Sequence, residues 1–510
     1  MTHDHRFVVI GAGPGGLQLS YFLQRAGADY VTLEREAAPG GFFRHYPRHR
    51  RLISLNKVHT GEKDREIQLR WDWNSLLNDG PELAFPSYSQ EYFPHADDLV
   101  RYLADFQRVH GLRVRYSTPV LRVERYGESR FAVHTGDAVY HADCVIVATG
   151  WGGAYVPDIP GIELATGYED APVSGEGYAG QRVLILGKGN SAFETAQALL
   201  PYASVIHLAS PNPLRLTWDS KHPGHVRGMY GALLDSYWFK TLHAVLECTV
   251  DRIWRADGAY RAEITYTLAD GERAVLDYDA VLRCTGFTMD TGLFDESCRP
   301  ELAPNGRIPA IRPDFQSANI DGLYFAGTLM QARDFKRASS AFIDGFRYNL
   351  RTLAALLCER YDGVPLPSRE LPADAGLLTE HVLGRVNHSS ALWTQFEYLS
   401  DAYVIGPAVR HYEDLPEDYA VSRFAGEDLL LTVTLRWGRR DHPDVFAIRR
   451  HPTPERADEC AFLHPVVRVW RRGEQVAERH LLEDLQARWQ DPERHAAPLR
   501  SFLSAHLPDR

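Results

Sequence analysis

Arg6-Phe7-Val8-Val9-Ile10-Gly11-Ala12-Gly13-Pro14-Gly15-Gly16 is the stretch that decides the fold. Phe7 to Ile10 is apolar without alternation, which reads as a strand buried on both faces of a parallel sheet. Gly11, Gly13 and Gly16 follow at the G-x-G-x-x-G spacing, with Pro14 and Gly15 between the last two. In such a turn the first glycine permits the reversal, the second lets backbone approach a pyrophosphate, and the third admits a closely packed helix. The start of that helix then presents N–H groups and positive potential to the phosphates.

Outward from the loop, Leu17 to Leu23 reads as the helix and Tyr30-Val31-Thr32-Leu33 as the next strand. Glu34 closes that strand 23 residues after Gly11 and can accept both hydroxyls of an adenosine ribose; Arg35 is placed with it as a cofactor contact. A glycine motif alone is a weak signal. Here strand, loop, helix and acid come together and predict a dinucleotide site.

The arrangement recurs. Arg182-Val183-Leu184-Ile185-Leu186 leads into Gly187-Lys188-Gly189-Asn190-Ser191-Ala192, a helix from Ser191 to Leu200, and a strand at Val205-Ile206-His207-Leu208. This second strand ends in Ala209-Ser210 and carries no acid. An acid there would repel a 2'-phosphate, whereas Ser210, Lys188 and Arg215 could contact one, so NADPH is favoured over NADH. A degenerate second loop holding nothing is the bland alternative. Two such folds in one chain have a simple use: one holds a flavin and the other brings nicotinamide to it.

The fold class expected is α/β: two nested doubly wound, Rossmann-like dinucleotide-binding domains plus a C-terminal α+β extension. Residues 1–150 and 286–360 are assigned to an FAD-binding domain, 151–180 to a crossing, 181–285 to an NADPH-binding domain, and 361–510 to a C-terminal domain of unknown role. Asp97 to Val109 reads as a helix, and Phe342, Phe346, Leu350 and Leu353 mark another. Strands are expected at 112–124, 130–135, 138–142, Cys144 to Ala148, Ala280 to Cys284, Leu429 to Leu435 and Val466 to Trp470, with a helix near 481–489.

Composition narrows the function. The 510 residues are 44% hydrophobic and 24% charged, and the net charge of −11 argues against nucleic acid as a partner. With no leader before Arg6 and no apolar span near 20 residues, a cytoplasmic protein without membrane attachment is expected. Cys144, Cys248, Cys284, Cys298, Cys358 and Cys460 include no Cys-x-x-Cys pair, which removes flavoenzymes that relay electrons through adjacent thiols. His222 with His225, and His381 with His388, lack further ligands, so no metal is expected. Assembly with further copies of the chain stays open.

These motifs resemble the class B, or flavin-containing, flavoprotein monooxygenase superfamily. The resemblance assigns Gly13 and Gly16 to FAD, Gly187 and Gly189 to NADPH, and matches the strand end Ala148-Thr149-Gly150, echoed by Cys284-Thr285-Gly286. Gly40-Gly41-Phe42-Phe43-Arg44-His45-Tyr46-Pro47 is similar to the family's G-G-x-W…Y-P segment beside the flavin, with Phe43 at the tryptophan position, and Gly327 is the late FAD-binding glycine. A closer likeness, through Gln18 to Gly27, Tyr46 to Lys57 and Asp72 to Leu77, is to the FAD-dependent oxidoreductase domain-containing branch. That branch includes the endoplasmic-reticulum flavoprotein associated with degradation. Bacterial relatives include amino-group oxygenases that form nitrosuccinate from aspartate. No leader or retention tetrapeptide accompanies the likeness, so a lumenal role is not carried over. The Baeyer–Villiger fingerprint is not visible between the two loops.

The resemblance implies that NADPH reduces FAD, that O2 adds to give a C4a-(hydro)peroxyflavin, and that oxygen passes to a substrate in a site kept dry. The expected activity is N-hydroxylation: oxidation of a primary amine on a small amino acid, an acidic one included. S-oxygenation or NADPH oxidase activity is the enzymatic alternative, and a redox-coupled interaction module the alternative of another class. Asn56 is the first choice for a flavin-side polar contact, with Lys57 and Arg44 beside it. Arg48, His49, Arg333, Lys336 and Arg337 are candidate substrate contacts, because clustered cations would attract a carboxylate. Trp71, Trp73, Tyr88, Tyr92 and Phe93 either wall a pocket or cover a core.

Overall fold

The computed structural model describes every residue except 81–82, 218–224, 237–239, 439–441 and 509–510. It contains three main sheets. In the first, parallel strands Thr2–Ile10, Tyr30–Leu33 and Val114–Arg115 lie beside Val139–Val147, and the hairpin Val120–Tyr126/Arg130–Thr135 extends the far edge. Val139–Val147 is one long strand where two were expected. Its first half pairs antiparallel with the hairpin, and its second half pairs parallel with Leu323–Phe325. The chain thus leaves this sheet after residue 147, touches its hairpin edge through a bridge between Val123 and Phe294, and rejoins it as a strand at 323. Phe7, Val8 and Val9 are fully buried, as an unalternating strand requires.

The second sheet is built by the residues in between. Arg182–Leu186 lies at its centre, flanked in parallel by Val205–Ser210 and Ala280–Arg283; an antiparallel meander, Ala244–Ala256, Ala259–Tyr266 and Arg273–Tyr278, continues one side. Thr166–Gly167, within the expected crossing, pairs with Ala280–Arg283 and so belongs to this sheet. Helices Pro14–Arg25 and Asn190–Leu199 follow their glycine loops in the two sheets.

The C-terminal residues form a six-stranded antiparallel sheet with Leu399–Ile405 and Leu430–Arg436 at its centre. One set of its residues, including Leu399, Val404 and Leu415, shares a continuous core with Phe7, Leu350 and Leu353. Another set, including Tyr403, Leu431 and Val467, packs with Val382 and Leu503 from helices Ala375–His388 and Ala497–His506. Helix Ile343–Asp362 is buried along most of its length, because sheet and extension cover it together.

The helix expected near 481–489 is not formed. Leu481, Leu485 and Trp489 mimic helical spacing, yet Leu485 is 80% exposed while its two companions are buried. The Asp484 carboxylate accepts from the Gln486 and Arg488 N–H groups, and Asn387 holds both backbone groups of Trp489. Local turn bonds and a side-chain clamp therefore replace the ladder. The terminal helix lies instead at Ala497–His506. No described helix is long and apolar enough to cross a membrane.

Candidate functional site

The first glycine loop is shaped by contacts that exclude side chains. Gly11 has φ +106°, and a Cβ there would stand 2.7 Å from the Ala148 carbonyl oxygen; at Gly16 it would stand 1.9 Å from the Gly11 oxygen. At Gly15 it would meet the Gly327 Cα at 2.6 Å, so the returning strand's end presses directly on the loop. Above Gly13 there is open space, and helix Pro14–Arg25 has no side-chain cap. Uncapped N–H groups beside open space fit a pyrophosphate. Glu34 is buried, with Oε2 accepting from the Ala12 N–H at 2.6 Å and Oε1 from the Glu36 N–H at 2.9 Å. Thr149 and Arg35 are exposed, and Gly150 has φ +63°.

The second loop repeats this stereochemistry. Gly187 has φ +119°, and its missing Cβ would lie 2.2 Å from the Cys284 oxygen, as Gly11 stands to Ala148. Helix Asn190–Leu199 likewise lacks a side-chain cap. Asn190 spends its side chain on the neighbouring segment, donating to the His225 carbonyl and accepting from the Arg227 N–H, both at 2.9 Å. Lys188 is buried and donates to the Leu246 carbonyl at 3.3 Å; burial lowers its pKa, partly offset by Glu247. Ser210 stands in register with Glu247 on the adjoining strand. An acid therefore reaches this end of the sheet from a strand other than the one that usually carries it. Arg215 is exposed.

The two units meet at residues 42–51. Tyr46, before a cis bond to Pro47, stacks on Tyr168 at 5.9 Å and meets Phe287 edge-on at 5.0 Å; Phe42 also touches Phe287. The Arg48 N–H donates to the Tyr168 hydroxyl at 2.9 Å, and the His49 N–H to Glu194 Oε1 at 2.8 Å. Tyr168 donates in turn to that same Oε1 at 3.2 Å. Glu194 is buried on the helix of the second loop, and burial pushes its carboxyl up to about 7 against the lowering effect of these donors. Arg227, its pKa held down to about 10 by burial, lies over Trp73 and Phe342 of the first unit.

Asn56 is buried. Its Nδ2 donates to the Ser89 and Glu91 carbonyls, while Oδ1 is buried without a hydrogen-bond partner among the described residues. Such an acceptor is the kind a cofactor or ordered water completes. Lys57 and Arg44 are exposed; Gly41 and Phe43 lie half-buried in the short helix Gly41–His45. The cations are largely engaged. Arg48 donates to the Ala171 carbonyl, Arg50 pairs with Asp97, Arg51 with Glu91, and Arg333 with Asp418. Arg337 donates to the Arg333 carbonyl, and Lys336 is exposed. These contacts do not gather Arg48 and Arg333 into one cluster. Among the aromatics, Trp73 reaches the second unit through Arg227, whereas Tyr88 packs on the first core and donates to Asp105. His222 lies outside the described residues.

Three residues carry no local sequence signal yet hold the site together: Glu194, Tyr168 and Arg70. Arg70 is buried, donates to the Val386, Asn387 and Ser389 carbonyls, and lies over Trp393. Beside it, Glu66 accepts from the Ser390 N–H and hydroxyl, and Arg347 donates to the Leu69, Asp72 and Ser75 carbonyls. The extension is thus bonded to the segment that backs Asn56, since the Lys57 N–H donates to Trp71 and the Asn74 side chain to Leu55.

Comparison with known proteins agrees with this architecture. The family model described as "Pyridine nucleotide-disulphide oxidoreductase" matches residues 8–327. All six cysteines are free and buried, so the disulphide of that name has no counterpart among them. The chain is 36% identical to FAD-dependent oxidoreductase domain-containing protein 2 of Mus musculus, covering 98% of this chain and 84% of that protein. Its Danio rerio namesake is 34% identical, at 98% and 83%. Among solved structures, the flavin-containing monooxygenase from Stenotrophomonas maltophilia matches with TM-score 0.54 and 22% identity, over 70% of this chain and 99% of that one. That last likeness concerns the fold alone, whereas the mouse alignment must include most of the C-terminal sheet. The chain therefore belongs to the pyridine nucleotide-disulphide oxidoreductase family and, within it, with the FAD-dependent oxidoreductase domain-containing proteins.

Proposed function

We propose that this chain is an NADPH-dependent flavin monooxygenase that N-hydroxylates the primary amine of a small amino acid, an acidic one included. The observation that carries the reading is the junction just described: one unit's glycine-loop helix bonds directly to the other unit's cis-proline segment through Glu194 and His49. Two nucleotide cradles joined there suit electron delivery from one to the other.

Bound FAD would supply two-electron chemistry and activation of O2. Gly11, Gly13, Pro14, Gly15, Gly16 and Glu34 would hold its dinucleotide part, with Gly327 closing the loop from behind and Asn56 Oδ1 offering a buried acceptor. Gly187, Lys188, Gly189, Asn190 and Ser191 would hold the nicotinamide nucleotide, with Ser210 and Arg215 near the 2'-phosphate. Lys57, Lys336 and Arg44, exposed and without ion pairs among the described residues, would steer an anionic substrate; the paired arginines would set the shape of the approach. The bonds linking Glu66 and Arg70 to residues 386–390 hold the extension over residues 64–75, where it would help to keep that side of an oxygenation site dry. This attachment also favours the enzyme over a detached interaction module.

The test is turnover of the holoenzyme with NADPH, O2 and a panel of amino acids, with hydroxylamine or nitroso product and peroxide both measured. The reading expects one small amino acid to give N-oxygenated product in step with NADPH use. Peroxide in full yield whatever amine is added would leave only an oxidase; sulfoxide from a thioether would move the activity to sulfur.

A further inference from the structure

The junction between the two units concentrates four side chains, three from the second sheet's unit and Phe287 from the two-stranded ribbon linking the units, on one short segment of the first. Tyr168, Glu194, Tyr230 and Phe287 all address residues 46–51: a stacked ring on Tyr46, bonds to two successive backbone N–H groups, and a hydroxyl on the Arg51 carbonyl at 3.4 Å. The two groups that accept from those amides are themselves joined, since the Tyr168 hydroxyl donates to the same Glu194 Oε1 that accepts from the His49 N–H. Ordinary surface packing between domains is more polar and scattered. Here the Glu194 carboxyl and Tyr168 are buried, so breaking the contact would strand a buried carboxylate.

We propose that Glu194 and Tyr168 form a latch that locks the cis-proline segment onto the second nucleotide unit and thereby sets the rate of flavin reduction, both acting as positioning residues. The inference rests on the proposed assignment of FAD to the first loop and a nicotinamide nucleotide to the second. Neither residue belongs to a cradle: Glu194 lies a full helical turn beyond the second loop, and Tyr168 in the crossing segment.

The latch is sensitive to protons. The charged and titratable groups about Glu194 are Arg48 and His49 on the gripped segment, Tyr168 in the crossing, Tyr230 beyond the second loop and Cys284 on the neighbouring strand. Burial dominates over these, raising the carboxyl from 4.5 to about 7. A raised pKa means that the closed latch is fully favoured while the carboxyl is protonated in both states. It loses stability as pH rises from the ordinary carboxylate range to about 7, and is weakest above that.

Because both bonds use Oε1, Glu194→Gln can keep them without the charge, whereas Glu194→Ala and Tyr168→Phe cannot. The experiment is anaerobic reduction of the holoenzyme's FAD by NADPH in a stopped-flow instrument, with hydrogen exchange at Arg48 and His49 measured on the same samples. Expected are a limiting reduction rate at least tenfold slower in Glu194→Ala and severalfold slower in Tyr168→Phe. FAD content and NADPH affinity stay within twofold, and exchange at both amides quickens. Glu194→Gln should stay near the wild-type rate and flatten its pH dependence between 5 and 8. Wild-type rates in Glu194→Ala with unchanged exchange would overturn the latch. If NADPH fails to reduce even the wild type while dithionite succeeds, the cofactor assignment has failed instead. Where Glu194→Ala does not retain FAD, Tyr168→Phe and the exchange of its Arg48 amide decide the matter.

Discussion

Gly15 and Gly327 sit on different passes of the chain, yet the absence of a side chain at the first is what lets the second come close. Gly15→Ala would drive a methyl to 2.6 Å from the Gly327 Cα, backbone that cannot swing aside. We predict that this variant retains less than a tenth of the wild-type FAD after purification, measured as the ratio of flavin absorbance to protein absorbance. At the second loop the decisive residue is Glu247, whose charge lies beside Ser210 and Lys188. Removing it should favour a 2'-phosphate: Glu247→Gln is expected to lower the KM for NADPH severalfold relative to that for NADH, while Lys188→Met raises it. Equal shifts for both nucleotides would place the 2'-phosphate elsewhere. At this scale the glycines were legible, because turns and close approaches demand a residue type at a fixed spacing. Glu194 was not: its partners stand 145 and 26 residues away and share no periodicity with it. The pairing of Arg51 with Glu91 was illegible for the same reason, since nothing near Arg51 announces its partner.

Elements were readable where one face or one motif controls them. The unalternating strands and the helices after each glycine loop follow from burial and spacing alone. Residues 481–489 carried the same spacing and formed no helix, because Asp484 and Asn387 satisfied the backbone in another way. The reverse case is helix Ala375–His388, whose end depends on a residue some 300 positions earlier. Arg70 donates to three carbonyls at and just beyond its last turn, replacing the bonds a helix terminus lacks. Each such bond to a charged group is worth about 1.5–3 kcal/mol, and the three are not independent. Arg70→Ala should therefore cost about 3 kcal/mol of stability by denaturant unfolding, with Arg70→Lys recovering only part of it, since an ammonium loses the planar stacking of the guanidinium over Trp393. A cost under 0.5 kcal/mol would mean that the helix end is held by other means.

For the molecule as a whole, the C-terminal sheet is continuous with the core of the first sheet through Leu399, Val404 and Leu415. It is also tied to helix Ile343–Asp362 by the Arg351–Asp414 pair. A chain ending at residue 360 would expose that core and lose the groups at residues 386–390 that engage Glu66 and Arg70. We predict that it accumulates in the insoluble fraction and, if refolded, binds less than a tenth of the FAD of the full chain. A soluble fragment that retains FAD would show the extension to be dispensable for the site. The nested order of the two nucleotide units was legible because each carries its own motif; the role of the extension was not, because its contribution is made of contacts rather than motifs.

The central claim is that the two glycine-loop units serve one reaction across a shared junction. Anaerobic titration of the FAD-loaded full chain with NADPH tests it directly. The account predicts that one equivalent of nucleotide bleaches the oxidised-flavin absorbance within seconds. A flavin that stays oxidised under excess NADPH and NADH, yet is bleached by dithionite, would contradict it.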